Sequence, residues 1–184
     1  MKRTYTILSL ILLLGLISYT SVYSAEDIRI KVVGDKQGIF KGEMPITTDW
    51  TDVIGYKLQL SRPLSYSNTG TSIGKVSLED ITIVKALGKS DPQYFKALLM
   101  TERLDVTIQI YRVNPPNAPV LLEEITLTEA FVTNVNESKD YSNIGSNDPT
   151  PVQTISFIPK TIKIENKESK IVVGYDFVFQ RFIP

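Results

Sequence analysis

The chain has 184 residues, enough for one domain but tight for two once an N-terminal targeting segment is set aside, and 42% of it is hydrophobic, which fills a core. Its 20 basic residues balance 20 acidic ones, so nothing in the charge attracts nucleic acid. The sequence contains neither histidine nor cysteine, which excludes zinc-thiolate sites, Ser-His and Cys-His catalysis, and disulfides.

Lys2 and Arg3 precede an apolar run from Ile7 to Ile17, with small residues just beyond it, the order of a secretory signal peptide. The run falls short of the roughly 20 residues a bilayer requires. Residues 1–24 therefore read as a signal peptide cut to leave Ala25 at the new N-terminus, the alternative being an uncleaved anchor. No cysteine follows the run, so a bacterial lipid anchor is excluded. Removing Lys2 and Arg3 leaves 18 basic against 20 acidic residues, a formal charge of −2. Residues 25–184 then form one exported domain, periplasmic or secreted, with no membrane contact after cleavage.

Asp27 to Val32 alternates strictly, Ile28, Ile30 and Val32 on one face, and predicts the first strand. After a glycine-rich, charged loop from Gly34 to Pro45, Ile54, Tyr56, Leu58 and Leu60 are expected inward on a second strand whose polar side carries Lys57 and Gln59. Alternating polar residues of that kind ordinarily form a solvent face. Pro63 to Gly74 is polar with little periodicity and reads as a long loop, of the length that is usually functional or disordered. Alternation resumes at Lys75 and slips at Glu79-Asp80, as a bulge would cause.

Asp91-Pro92 reads as an N-cap and first turn, and Tyr94, Phe95, Leu98 and Leu99 then recur at helical spacing over residues 92–100. A short helix of this kind beside a sheet is expected to bury that stripe in its own core. Leu104 to Ile110 alternates again; beyond the Asn114-Pro115-Pro116-Asn117 turn, Leu122 to Val135 supplies one long strand or two short ones. A second polar loop spans Asn136 to Pro151. Two strands close the chain, Thr154 to Glu165 with a slip at Pro159, and Lys170 to Phe179.

The pattern predicts a mainly β protein: an antiparallel two-sheet β-barrel or sandwich of seven to eight strands with one short α-helix. Adjacent carboxylates at Glu79-Asp80 and Glu123-Glu124 point to opposite faces of a strand and do not converge for catalysis. Asp140, Asn143, Asn147 and Asp148 share a loop, but their spacing fits no calcium-binding pattern and such residues are ordinary turn formers. No Gly-x-Ser-x-Gly elbow occurs. The reading is of a protein without catalytic residues, metal or cofactor.

Specific segments resemble the Hcp family, the tube subunits of type VI secretion, over Asp27 to Phe177. They are Asp27-Ile28-Arg29-Ile30-Lys31, Gly74-Lys75-Val76-Ser77-Leu78-Glu79-Asp80-Ile81-Thr82-Ile83-Val84-Lys85, and Ser90-Asp91-Pro92 opening a helix that ends in Leu98-Leu99-Met100. Asp105 to Arg112, Ile125-Thr126-Leu127, Thr133-Asn134-Val135, Thr154 to Phe157 and Val173 to Phe177 resemble the family's later strands. The resemblance implies a ring-forming structural protein, a homo-oligomer of about six copies, that stacks into tubes or holds effector proteins and meets other parts of the secretion apparatus. It also implies that the loop carrying Ser65, Tyr66, Ser67, Asn68, Thr69 and Ser72 reaches a neighbouring subunit, and that Lys57 and Gln59 face a lumen. The alternative is a monomeric exported binding module that recognises a ligand or protein through the loops around Tyr66 and Tyr141.

Overall fold

The computed structural model describes residues 25–44, 49–68, 70–113, 118–139 and 151–183. The predicted signal peptide, the tip residue Thr69 and the Asp140 to Asp148 loop with Tyr141 lie outside the described residues.

In chain order the strands are β1 (Ala25–Gly34), β2 (Gly38–Ile39), β3 (Thr51–Val53), β4 (Gly55–Lys57), β5 (Leu60–Ser61), β6 (Leu64–Ser67), β7 (Gly70–Ile73), β8 (Ser77–Leu78) and β9 (Ile81–Ala86). Helix α1 (Asp91–Leu99) follows, then β10 (Leu104–Val113), β11 (Val120–Ser138), β12 (Val152–Ile158), β13 (Thr161–Asn166), β14 (Ile171–Asp176) and β15 (Arg181–Ile183). All pairings are antiparallel. One layer runs β15-β14-β13-β11-β10-β1, with β2 and β3 on the far side of β1; the other runs β11-β12-β9-β4. Of the two architectures expected, the sandwich is the one that fits. The strand count exceeds seven to eight because bends divide predicted strands, Thr154 to Glu165 into β12 and β13, and because β2, β6, β7 and β15 lie where no strand was expected.

Alternation explains the core. Ile30 and Val32 from β1, Val106 and Ile108 from β10, Ile125 and Leu127 from β11, and Ile83, Ile155 and Phe157 from the second layer are all buried together. Each layer covers the apolar face of the other, which is why neither needs a longer hydrophobic run.

Strand β11 belongs to both layers. Its first half pairs with β10 and β13, its second half with β12. Between Leu127 and Ala130 the register against β10 shifts, and Glu129 adopts φ 50. An extra residue in a left-handed conformation bends a strand, and here the bend is held by polar contacts. The Glu129 N–H donates to Asp105 Oδ1 (3.2 Å), and its carboxylate receives Lys160 Nζ (2.6 Å). On the other side, residues 51–57 also pass between layers, β3 pairing with β1 and β4 with β9.

That second crossing overturns one expectation. Thr51 and Val53 are buried and Leu58 packs on the core, but of the other residues expected inward Ile54 is 58% exposed, and Tyr56 and Leu60 are exposed as well. The inward parity changes across Ile54-Gly55, where the chain leaves β1 for β9, so the corner residue turns out. The slip at Glu79-Asp80 is likewise a change of partner, from β5 to β12 and β4, and not a bulge within one ladder.

Helix α1 caps one side of the core through Tyr94 and Ala97. Tyr94 meets Phe40 and Phe157 edge-on at 5.1 and 6.3 Å, and burial, with the nearby Asp91 and Glu43 charges, pushes its hydroxyl pKa up. The N-cap is Ser90 and not Asp91. The Asp91 carboxylate instead receives Gly88 N–H (2.6 Å) and the fully buried Lys85 ammonium (2.5 Å). A buried ammonium is tolerated only with such a partner. The helical stripe is only half covered: Leu98 packs on the core, whereas Phe95 is exposed and Leu99 is 83% exposed.

Glu102, fully buried, ties the start of β10 to the β1–β2 turn. It accepts Lys36 N–H (2.6 Å), Gln37 N–H (2.7 Å) and Gln37 Nε2 (2.7 Å). Burial alone would raise its pKa, but the Gln37 and Lys36 donors outweigh that and hold it below the usual 4.5. A side chain on Gly34 would press into this carboxylate.

Two predictions follow from the packing. Phe157→Ala should lower the unfolding free energy in urea melts by about 3–5 kcal/mol, while Leu99→Ala should change it by less than about 0.5 kcal/mol. For Glu102 the folded pKa lies below the unfolded one. Its contribution is therefore complete above about pH 4.5 and is lost as pH falls through the lower folded value. Melts taken from pH 6 down to about pH 3 should show a steeper acid decline in the parent than in Glu102→Gln, which starts less stable and falls less.

A candidate self-association surface

Pro63 to Gly74, expected to be a loop, is a β-ribbon. Its root is the β5–β8 pair, Leu60 opposite Leu78 and Ser61 opposite Ser77. Its outer tier is the β6–β7 hairpin, Leu64 opposite Ile73, Ser65 opposite Ser72, Tyr66 opposite Thr71 and Ser67 opposite Gly70. The Gly74 N–H donates to Pro63 O (2.9 Å) between the tiers. A Cβ at Gly74 would strike the Pro63 ring, so this close approach requires glycine. Gly70, at φ 137, closes the tip where Ser67 Oγ donates to its carbonyl (3.1 Å).

Directly opposed residues of an antiparallel pair share a face. The ribbon is therefore amphipathic: Leu64, Tyr66, Thr71 and Ile73 form one face, and Ser65, Ser67 and Ser72 the other. Among the described residues nothing covers the apolar face. Leu64 is 55% exposed, Ile73 64% and Tyr66 79%, and every residue of β6 and β7 is exposed. A lone two-stranded ribbon is marginal in water, so this one is held by its root.

The root is fastened twice. Lys57 Nζ donates to Glu79 Oε2 (3.1 Å) and Gln59 Nε2 to Glu79 Oε1 (2.9 Å), while Glu79 N–H donates to Gln59 O (3.1 Å). On the other flank, Val76 N–H donates to Gln180 Oε1 (3.1 Å) and Gln180 Nε2 donates back to Val76 O (3.4 Å). Gln180 is set for this by its left-handed backbone, φ 52, and by Tyr175 OH, which donates to the same Oε1 (3.2 Å). Asp176 Oδ1 shapes the turn before it by accepting the N–H groups of Val178 and Phe179. Exposed Val178, Phe179 and Phe182 sit on and beside this turn.

The magnitudes separate the contributions. Burying a Leu, Ile or similar side chain is worth about 1.5–3 kcal/mol, whereas an exposed ion pair such as Lys57–Glu79 is worth at most about 1 kcal/mol. The apolar face, not the salt bridge, decides whether the ribbon adheres to something.

Of the residues expected to touch a neighbour, Tyr66 lies on the apolar face, Ser65, Ser67 and Ser72 on the opposite one, and Asn68 in the tip. Lys57 and Gln59 are exposed and brought together at the root by Glu79. Sequence reasoning missed Leu64, Ile73 and Gln180. Leu64 and Tyr66 alternating with serines, then glycine, then Thr71 and Ile73 was the available signal; nothing in the sequence singles out Gln180.

The suspected carboxylate pairs go to separate partners. Asp80 Oδ2 receives Thr133 Oγ1 (2.6 Å), and Glu124 receives Gln109 Nε2 (2.6 Å) and Lys167 Nζ (3.1 Å). Among the described residues no group of acidic side chains is placed to hold a metal ion, and no helix is long and apolar enough to cross a membrane.

A family model described as "Type VI secretion system effector, Hcp" matches residues 30–165. No curated protein matches the sequence. Among solved structures, one titled "Crystal structure of Hcp protein" is 19% identical, with TM-score 0.73, covering 83% of this chain and 98% of its own. An Hcp1 variant from E. coli EAEC 042 is 15% identical, with TM-score 0.71, covering 83% and 99%. The secreted protein Hcp3 from Pseudomonas aeruginosa is 18% identical, with TM-score 0.63, covering 83% and 99%.

The clamp on the ribbon is directly measurable. Gln180→Ala should make the Val76 amide exchange with deuterium about 3–10 times faster, the loss of roughly one hydrogen bond, while amides of β10 and β11 keep their rates. Unchanged exchange at Val76 would show that the clamp does not hold the root.

Proposed function

The chain belongs to the Hcp family of type VI secretion proteins, and from that premise we propose that it is a structural subunit that works by assembling with copies of itself into closed rings. The observation that carries this reading is the amphipathic ribbon, whose Leu64, Tyr66 and Ile73 face water on an isolated chain. A surface of this kind is costly unless something covers it. A second copy is always present at matching concentration, and cyclic closure covers every such face at once. In this reading the ribbon lies against the neighbouring subunit. Lys57 and Gln59, held by Glu79 at its root, would line the ring's opening, where effector or other cargo proteins could be held.

The reading assigns no catalytic step to any residue. Export through the segment 1–24 belongs to it as well: cleavage before Ala25 would release the domain with β1 at its N-terminus and place assembly in the periplasm or outside the cell.

Residues 25–184, purified and examined by native mass spectrometry, should give closed rings of about six copies. Deleting Ser65 to Ser72, or replacing Leu64 and Tyr66 together by serine, should reduce them to monomers whose melting temperature stays within a few degrees of the parent. A parent chain that is monomeric at high concentration contradicts the proposal and is the behaviour of a binding module. Rings that survive both changes would remove the ribbon as the contact.

A further inference from the structure

On a different face, the β1–β2 turn and the start of α1 border an open concavity of about 510 Å³ rimmed by Lys36, Lys41, Lys89 and Lys96. None of these four ammonium groups forms an ion pair with a described residue. The rim is organised from beneath: Gln37 Nε2 donates to Gln93 O (3.1 Å), and Lys41 N–H donates to Gln93 Oε1 (2.8 Å). Glu102 supplies a negative charge under Lys36, but its oxygens are occupied by the turn and its side chain is sealed from solvent.

A second concavity of about 350 Å³ shares Lys41 and Lys89 with the first and has Ile39 and Phe40 in its wall. Asp49 also lines it but is engaged by Lys31 at 3.3 Å. Ile39 is 47% exposed there. The two openings adjoin at Lys41 and Lys89, which line both, so that unpaired positive charge stands beside an apolar surface in this groove. Four like charges around one opening repel each other, and the domain as a whole carries a slight negative charge, so the cluster is not a consequence of overall composition.

We propose that this groove docks an acidic peptide segment of a partner protein, with carboxylates set against the lysines and one apolar side chain seated on Ile39. Lysine is a point charge that accepts carboxylate and phosphate alike. The adjoining apolar wall is what favours a peptide over a free phosphate, which has nothing to place there. Charge complementarity of this kind sets partner choice and on-rate more than affinity, and weakens with salt. The inference is independent of ring formation and holds for a monomer equally.

The probe is a fluorescein-labelled peptide of sequence Glu-Glu-Leu-Glu-Glu, titrated with the purified protein at about 20 mM ionic strength and followed by anisotropy. Saturable binding is expected, weakened at least about 10-fold by Lys41→Glu with Lys89→Glu, abolished when the peptide's glutamates become glutamines, and unchanged by Lys170→Glu on another face. If the double variant loses its far-ultraviolet spectrum, Lys36→Glu with Lys96→Glu is the substitute and should give the same loss. Failure of the parent to bind, binding indifferent to these lysines, or displacement by inorganic pyrophosphate at concentrations equal to the peptide would each overturn the proposal.

Discussion

Successive side chains of a strand point to opposite faces, so an alternating sequence creates an apolar face that must be covered. Inside this protein the requirement is met: two layers turn those faces toward each other, and Val106, Ile108, Leu127, Ile155 and Phe157 disappear from solvent. On the ribbon from Leu60 to Leu78 the same periodicity operates with no second layer above it among the described residues. The core and the candidate contact surface are therefore two outcomes of one rule, distinguished by whether the cover is on the same chain.

Two irregularities make the internal outcome possible. The bend at Glu129 lets β11 serve both layers, and the corner at Ile54 lets the chain cross between them on the other side. Both place one residue out of phase. Glu129 is fixed in its left-handed backbone by Asp105 and Lys160, while Ile54 leaves an apolar side chain in water. The layers are thus joined through continuous backbone, a stiffer link than side-chain packing alone, and a rigid sandwich is a suitable base for a projecting ribbon. Gln180 fastens the ribbon to that base by pairing with the backbone of Val76.

Legibility in the sequence followed the size of the side chains. Strands β1, β10 and β9 carry Ile, Val and Leu at every second position and were readable directly, as was the helix opened by Asp91-Pro92. The family resemblance rested on those same segments, and the match over residues 30–165 covers them. In sequence the ribbon looks like a loop because serine, threonine and glycine dominate it, and those residues fit turns as well as strands. Its amphipathicity rests on Leu64, Tyr66 and Ile73, whose alternation with serine is a faint signal in the sequence, and the register then sets all three on one face. The outward turn of Ile54, the partner change at Glu79-Asp80 and the clamp by Gln180 depend on which strands become neighbours, and no local pattern encodes that. Strand β15 went unseen because Arg181 to Ile183 is too short to show a period.

The proposed assembly requires that another copy of the chain cover the apolar face of the ribbon. Hydrogen–deuterium exchange of residues 60–78, recorded in dilute and in concentrated solution, reads that contact. Protection that rises in this segment with concentration, while β10 and β11 stay constant, is the predicted result. Exchange in the ribbon that is equally fast at both concentrations would contradict the account.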